Sequence, residues 1–279
     1  MKRLKYFRNQ LIVFVLLLTF PVISWSGKFD EHAQFRKAKN HVYVIAHRGA
    51  HIGIPENSLA AYQKAIDLGC DFVEIDVRTT KDGKFVSVHN SSVDDYVKGT
   101  KGKVKDLTLD QLEALDIGSR VGPEWKNTRI PTFEQILQLC QGKIGIYLDL
   151  KDAPVPELMK LIKKYHMEQN VIWYISAQYL MRMKNEDTAF GNSFPMPDPG
   201  IEKNLNNVLT KLKPAVVATD MGVLSKSYVE EAHQKNAKVF VDEDKGTEAE
   251  WKKILSWKTD GIQTNNPEKL IAFLKKQNW

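Results

Sequence analysis

From residue 41 to the end, short β-rich apolar runs alternate with amphipathic stretches at helical spacing, and few folds tolerate that order. The spacing predicts strands over 41–46, 71–77, Phe85–Val88, 144–150, 171–176, 215–219, 238–242 and 260–264. Helices are predicted over 58–68, where Leu59, Tyr62, Ala65 and Ile66 share a face, and over 133–139 behind Thr132 as cap. More follow over 156–165, 201–212, 225–235, 247–257 and 267–275. Residues 90–131 read as polar and irregular apart from a short helix near Leu109–Leu115, and Phe190–Met196 reads as a strand or a loop. Parallel strands need crossovers of a dozen or more residues, so this βαβα order implies a mostly parallel sheet. Eight or nine strands in 279 residues suit a closed (β/α)8 barrel of the TIM type with a loop insertion after the third strand. A doubly wound nucleotide fold is disfavoured, because no glycine-rich loop follows the first strand.

Ahead of the barrel, residues 1–26 have the layout of an export signal. Lys2, Arg3, Lys5 and Arg8 precede the apolar run Leu11–Ile23, and Ser24-Trp25-Ser26 stands before Gly27 as a small-x-small cleavage site. The expected organisation is a signal peptide at 1–26, an extension at 27–40 and the barrel domain at 41–279, in an exported, periplasmic or secreted protein. An uncleaved signal would make it membrane-anchored. Those four basic residues, with no acid among residues 1–26, account for most of the formal charge, which falls from +6 to +2 without them. The basic balance therefore gives no reason to expect nucleic acid as a partner, and nothing implies a stable protein partner. Cys70 and Cys140 each end an apolar helical pattern and are expected as buried free thiols.

Polar residues fall where the predicted strands end. His47-Arg48 close the first, Glu74 and Asp76 the second, His89 the third, and Asp149 and Lys151 the fourth. Residues two apart on a strand share a face, and a parallel barrel builds its sites at the carboxyl end. Any one of these residues is ordinary as a solvated ion; four consecutive strands with the same habit are not. Glu74, Asp76 and Asp149 offer hard oxygen ligands suited to Ca2+ or Mg2+. Arg48 and Lys151 suit a phosphate. His47 and His89 titrate near neutrality, as an acid–base pair requires. Together these groups describe phosphodiester cleavage.

The motifs resemble the glycerophosphodiester phosphodiesterases. The resemblance is carried by His47-Arg48-Gly49, Pro55-Glu56-Asn57-Ser58, Glu74-Ile75-Asp76-Val77, Thr80-Lys81-Asp82-Gly83, Val88-His89, Asp106-Leu107-Thr108, Leu115–Ser119 and Arg129–Thr132. It is dense over 44–151, fades over 170–240 and returns at 260–264. It implies acid–base roles for His47 and His89, metal ligation by Glu74, Asp76 and Asp149, and phosphate binding by Arg48 and Lys151. Glu56 would orient Arg48 or reach the glycerol end, and Gly49 would bring the backbone close to the site. The implied substrate is a small glycerophosphodiester, split into an alcohol and glycerol 3-phosphate with a divalent cation, Ca2+ or Mg2+. Departures from the pattern are Asn90 after His89, Asp149 for a longer carboxylate, Val241–Asp244 for an aromatic segment, and Asn265 for an acid. The competing expectations are a lysophospholipase D or phosphatidylinositol-cleaving enzyme of the same superfamily, and a degenerate, non-catalytic phosphodiester-binding barrel.

Overall fold

The computed structural model describes residues 37–97, 99–182 and 190–277; the expected signal at 1–26 and most of the 27–40 extension lie outside them. Nine strands run in chain order: β1 (Tyr43–Ala46), β2 (Phe72–Thr79), β3 (Phe85–Ser87), β4 (Gly145–Leu150), β5 (Val171–Ser176), β6 (Phe194–Asp198), β7 (Val216–Asp220), β8 (Lys238–Asp242) and β9 (Gly261–Thr264). The helices are α1 (Leu59–Leu68), α2 (Leu109–Glu113), α3 (Phe133–Cys140), α4 (Val155–Lys164), α5 (Ala177–Arg182), α6 (Leu205–Leu212), α7 (Lys226–Gln234), α8 (Glu248–Ser256) and α9 (Pro267–Lys276). Eight parallel strands follow one another in the order β6-β5-β4-β2-β1-β9-β8-β7. β6 and β7 lie side by side and nearly close the ring. The (β/α)8 barrel is therefore the fold.

One predicted barrel strand is not one. β3 pairs antiparallel with β2, Val77 opposite Ser87 and Thr79 opposite Phe85. The physical reason is the length of the connection. Gly83 at φ +73° turns the chain within a few residues, which permits a hairpin but no parallel crossover. β2 thus rises past the rim, and β3 returns toward it until Val88 N–H donates to Asp76 O at 3.0 Å. His89 reaches the mouth from above, on a strand running the other way.

Two apolar layers hold the ring. Inside it, Tyr43, Ile45, Phe72, Tyr147, Ile172, Phe194, Met196, Val216, Ala218 and Phe240 pack together. The Phe72 and Phe240 rings need room: a Cβ on Gly145 would lie 2.4 Å from Phe72, and one on Gly261 2.6 Å from Phe240. Outside it, the helices bury one face each, with Phe133, Ile136, Leu137 and Cys140 of α3 as one example. Ser58 caps α1 by accepting from Ala61 N–H, worth about 1 kcal/mol, and Thr132 forms a capping box on α3. Both cysteines are buried and free.

The insertion after β3 is more ordered than its polarity suggested. Val86, Val88, Val93, Tyr96, Val104, Leu112, Ile117 and Ile130 form a small core of their own. Its apolar residues are widely spaced in sequence, so no helical or strand period exposes them. α5 also went unpredicted, and the strand near 190–196 lies instead at Phe194–Asp198, where Pro195 and Pro197 hide the strand signal.

Candidate active site

Strand alternation aims the interior residues of each strand into the mouth. Glu74 and Asp76 stand one and two rungs above Phe72 on the inner face of β2, and β4 sets Asp149 beside Asp76. One ligand atom from each of Glu74, Asp76 and Asp149 lies within 4.8 Å of the others. Glu74 and Asp76 are almost fully buried, at 2% and 1% exposed. Burial, and then the Asp76 and Asp149 charges, hold the Glu74 carboxyl well above the usual carboxylate range. Burial also raises Asp149, against the pull of Lys151.

The cations are interleaved with these acids. Lys151 Nζ lies 2.5 Å from Asp149 Oδ2 and 3.0 Å from Asp76 Oδ1. Arg48 sits in the left-handed region at φ 52°, a conformation that costs roughly 1–2 kcal/mol. Two bonds hold it there: Arg48 N–H donates to Glu74 Oε2 at 2.7 Å, and Arg48 O accepts from Asn57 N–H. Its guanidinium reaches Glu56 Oε1 at 3.3 Å, with Nε 3.8 Å from Asp76 Oδ2. Arg48 Nε is buried without a hydrogen-bond partner, 3.8 Å from Asp76 Oδ2, while Asp76 Oδ1 faces the Lys151 ammonium at 3.0 Å. Arg48 thus holds an unfilled donor beside the acids. The three converging carboxylates fit a hard divalent cation.

The two histidines are anchored alike. His47 Nδ1 meets Asn265 Oδ1 at 2.8 Å, and His89 Nδ1 meets Asn90 Oδ1 at 2.8 Å. An amide oxygen only accepts, so each Nδ1 carries the proton and each Nε2 is left for the mouth. His47 Nε2 is 4.0 Å from Glu74 Oε2. Burial and the Arg48 charge push the His47 pKa down to about 4. His89 lies close enough to Asp149 for the two charges to interact. Asn90 in turn donates to Asp95, so the departure from the usual His-Asp inserts an amide between imidazole and acid.

All eight residues singled out in the sequence meet at this mouth. Gly49, beside the Arg48 N–H that bonds Glu74, has φ +83°, and a hypothetical Cβ 2.7 Å from Ala61 Cβ shows that it also lets the first loop press against α1. Several supporting residues escaped notice. Asn57 donates to Asp76 Oδ2 at 2.8 Å and accepts from Tyr62 OH and Ser87 Oγ, all within the protein. Arg78 donates to the His89 carbonyl at 2.7 Å and pairs with Asp152. From the insertion, Arg120 comes within 3.8 Å of Glu56, and Trp125 Nε1–H donates to Gly53 O. Asn57 stood inside a motif already noted; Arg120 had no sequence signal.

Fold and donor set define a class: parallel (β/α)8 barrels with a carboxylate triad, interleaved cations and two imidazoles at the carboxyl rim. Residues 47–269 match the model of the glycerophosphoryl diester phosphodiesterase family, and the chain belongs to that family. The Bacillus subtilis protein YhdW is 44% identical over 113 residues, covering 40% of this chain and 46% of that one. A glycerophosphodiester phosphodiesterase of Caldanaerobacter subterraneus is 38% identical over 146 residues, covering 50% of this chain and 60% of its own. The chain thus spans about half the length of the curated relatives it matches. Among solved structures, an Oleispira antarctica phosphodiesterase in complex with the product sn-glycerol-3-phosphate superposes with a TM-score of 0.75 at 22% identity, over 84% of this chain and 96% of that one. At that identity the likeness speaks for the fold.

Proposed function

We propose that this protein hydrolyses glycerophosphodiesters to an alcohol and glycerol 3-phosphate, with Ca2+ or Mg2+ held by Glu74, Asp76 and Asp149. The observation that carries this reading is the convergence of three carboxylates beside a buried, unfilled donor, Arg48 Nε. A cation held by the carboxylates and a phosphate on Arg48 would satisfy both. Glu74, Asp76 and Asp149 would hold the ion, which would supply positive charge to polarise a phosphoryl oxygen. Arg48 donates to the phosphate from Nε, while Glu56 holds the rest of its guanidinium in place. Lys151 neutralises Asp76 and Asp149 and turns its remaining donors toward the same phosphate.

His47, kept neutral by its surroundings, accepts at Nε2 the proton of the attacking hydroxyl. That hydroxyl belongs to water or to the glycerol carbon next to the ester. His89, anchored at Nδ1 by Asn90, delivers a proton from Nε2 to the departing alkoxide. Among the described residues no serine or cysteine hydrogen-bonds to either imidazole, and Cys70 and Cys140 are buried, so no covalent nucleophile is invoked. The test is phosphorus NMR of a glycerophosphodiester with purified protein. Glycerol 3-phosphate and free alcohol are expected; release of glycerol with a phosphorylated alcohol would contradict the assignment.

One observation favours a second reading, a lysophospholipid as substrate. The exposed large apolar residues among those described, Ile52, Leu59, Val121 and Ile201, all lie on the loop side that bears the mouth. Single exposed apolar residues are common, so turnover of lysophosphatidylcholine against its deacylated counterpart decides between the two. We further propose export, which N-terminal sequencing of the mature protein would test by a start near Gly27.

A further inference from the structure

The arc of the mouth built by β6, β7 and β8 takes no part in the proposed chemistry, yet each of these strands ends in an aspartate: Asp198, Asp220 and Asp242. All three point inward, because Met196, Ala218 and Phe240, two residues earlier, belong to the interior layer. Register sets Asp220 beside Asp242. None of the ion pairs among the described residues involves any of the three.

These acids do not gather as a metal site does. The one group of three ligating residues that converges, among those described, is the Glu74 triad. Asp198 spends its oxygens on Gly200 N–H and Tyr174 OH, each at 2.7 Å, and Asp220 uses Oδ1 on Gly222 N–H and Val223 N–H. Their charge is spread around a space instead of focused on a point, which suits a bulky, diffuse cation.

Gln263 supplies an independent sign. It is 7% exposed, and its Oε1 is buried with no hydrogen-bond partner. Gly261, two residues earlier on β9, faces the Phe240 ring, so Gln263 points inward one rung higher, beside Asp242 in register and within hydrogen-bonding reach of it. A bare carbonyl oxygen on the side chain whose amide meets Asp242 calls for a donor or a cation, since another acceptor would only add repulsion. Next to this arc a cavity of about 550 Å³ is lined by Tyr174, Ser176, Asp198 and Asn204 among others. Tyr174 stacks on Tyr147 at 5.9 Å between centroids and 17° between planes, offering aromatic surface of the kind that attracts ammonium groups.

We infer that this acidic arc receives a cationic amino-alcohol, so that the preferred substrates are glycerophosphodiesters whose leaving alcohol carries an ammonium group. The inference rests on the phosphodiesterase reading above. In the step itself the P–O bond to the amino-alcohol breaks and a P–O bond to water or to the neighbouring glycerol hydroxyl forms, any cyclic product then adding water. The departing oxygen takes a proton, and the ammonium group leaves unchanged.

The experiment compares kcat/KM of the full chain on four diesters: glycerophosphocholine and glycerophosphoethanolamine against glycerophosphoglycerol and glycerophosphoinositol. A preference of about tenfold for the cationic pair is expected, the scale of one or two partly solvated charge pairs. Asp242→Asn, which is isosteric and whose fold is checked by its melting transition, should bring the ratio toward one. Turnover of all four without preference would overturn this inference alone, and the unaltered protein suffices to show it. Turnover of none would overturn the phosphodiesterase reading and the inference with it. A preference that survives Asp242→Asn, Asp198→Asn and the double substitution would remove these acids as its cause.

Discussion

The arc formed by β1, β2 and β4 and the arc formed by β6, β7 and β8 frame one mouth with opposite electrostatic designs. On the first, cations are woven among the acids: Lys151 between Asp76 and Asp149, Arg48 between Glu56 and Asp76. On the second, three aspartates make no ion pair among the described residues and are held by backbone amides, a tyrosine and a glutamine. On the proposed reading, the first arrangement would hold a phosphate and a metal whatever alcohol is attached. The second would act on what leaves. A barrel can therefore hold its chemistry constant on one side and change its specificity on the other, because each strand delivers its side chains independently.

The largest expected effect falls on the first arc. His47→Ala and His89→Ala should each lower kcat by about 10²–10⁴ while the melting temperature changes little. Asp220→Asn, across the mouth, should cost far less. Equal losses on both sides would erase the distinction between the arcs.

A smaller effect is expected one shell away. Asn57 grips Asp76, and Tyr62 and Ser87 grip Asn57. Asn57→Ala should weaken Ca2+ or Mg2+ binding by about 10–100-fold, as loss of an outer-shell partner does. Calorimetric titration of the metal measures it, and an unchanged affinity would show that Asp76 holds its position unaided.

The His47 titration sharpens the comparison further. Its imidazole should titrate well below the ordinary 6.5, near the value of about 4 that burial and Arg48 impose. Because the folded pKa lies below the unfolded one, this group destabilises the fold progressively as pH falls from about 6.5 toward 4. Nitrogen NMR of the ring reads the value directly. Asn265→Asp, placing a charge at Nδ1, should raise it; an Asn265→Asp variant with the original titration would show that Asn265 is not its partner in solution.

The first arc was legible in the sequence and the second much less so. His47, Arg48, Glu74, Asp76, His89, Asp149 and Lys151 are charged or titratable residues at the ends of apolar runs, where strand alternation alone predicts a shared face. The barrel followed from the same alternation. What escaped depends on contacts across the chain. The β2–β3 hairpin was mistaken for a barrel strand because a run of three or four apolar residues says nothing of its direction. Asn57, Arg78 and Arg120 act through partners 11 to 64 positions away, and polar residues of that kind look like surface until the fold brings them in. Prolines at 195, 197 and 199 masked β6, and with it the inward direction of Asp198.

The central claim is that the Glu74–Asp76–Asp149 cluster turns over a glycerophosphodiester with a divalent ion in place. The direct measurement is glycerol 3-phosphate release from glycerophosphodiester by protein stripped of metal, verified by elemental analysis, then supplied with Ca2+ or Mg2+. No release from the stripped protein and recovery with either ion is the predicted result, with no recovery in an Asp76→Asn variant. Full turnover by the metal-free protein in excess chelator would contradict it.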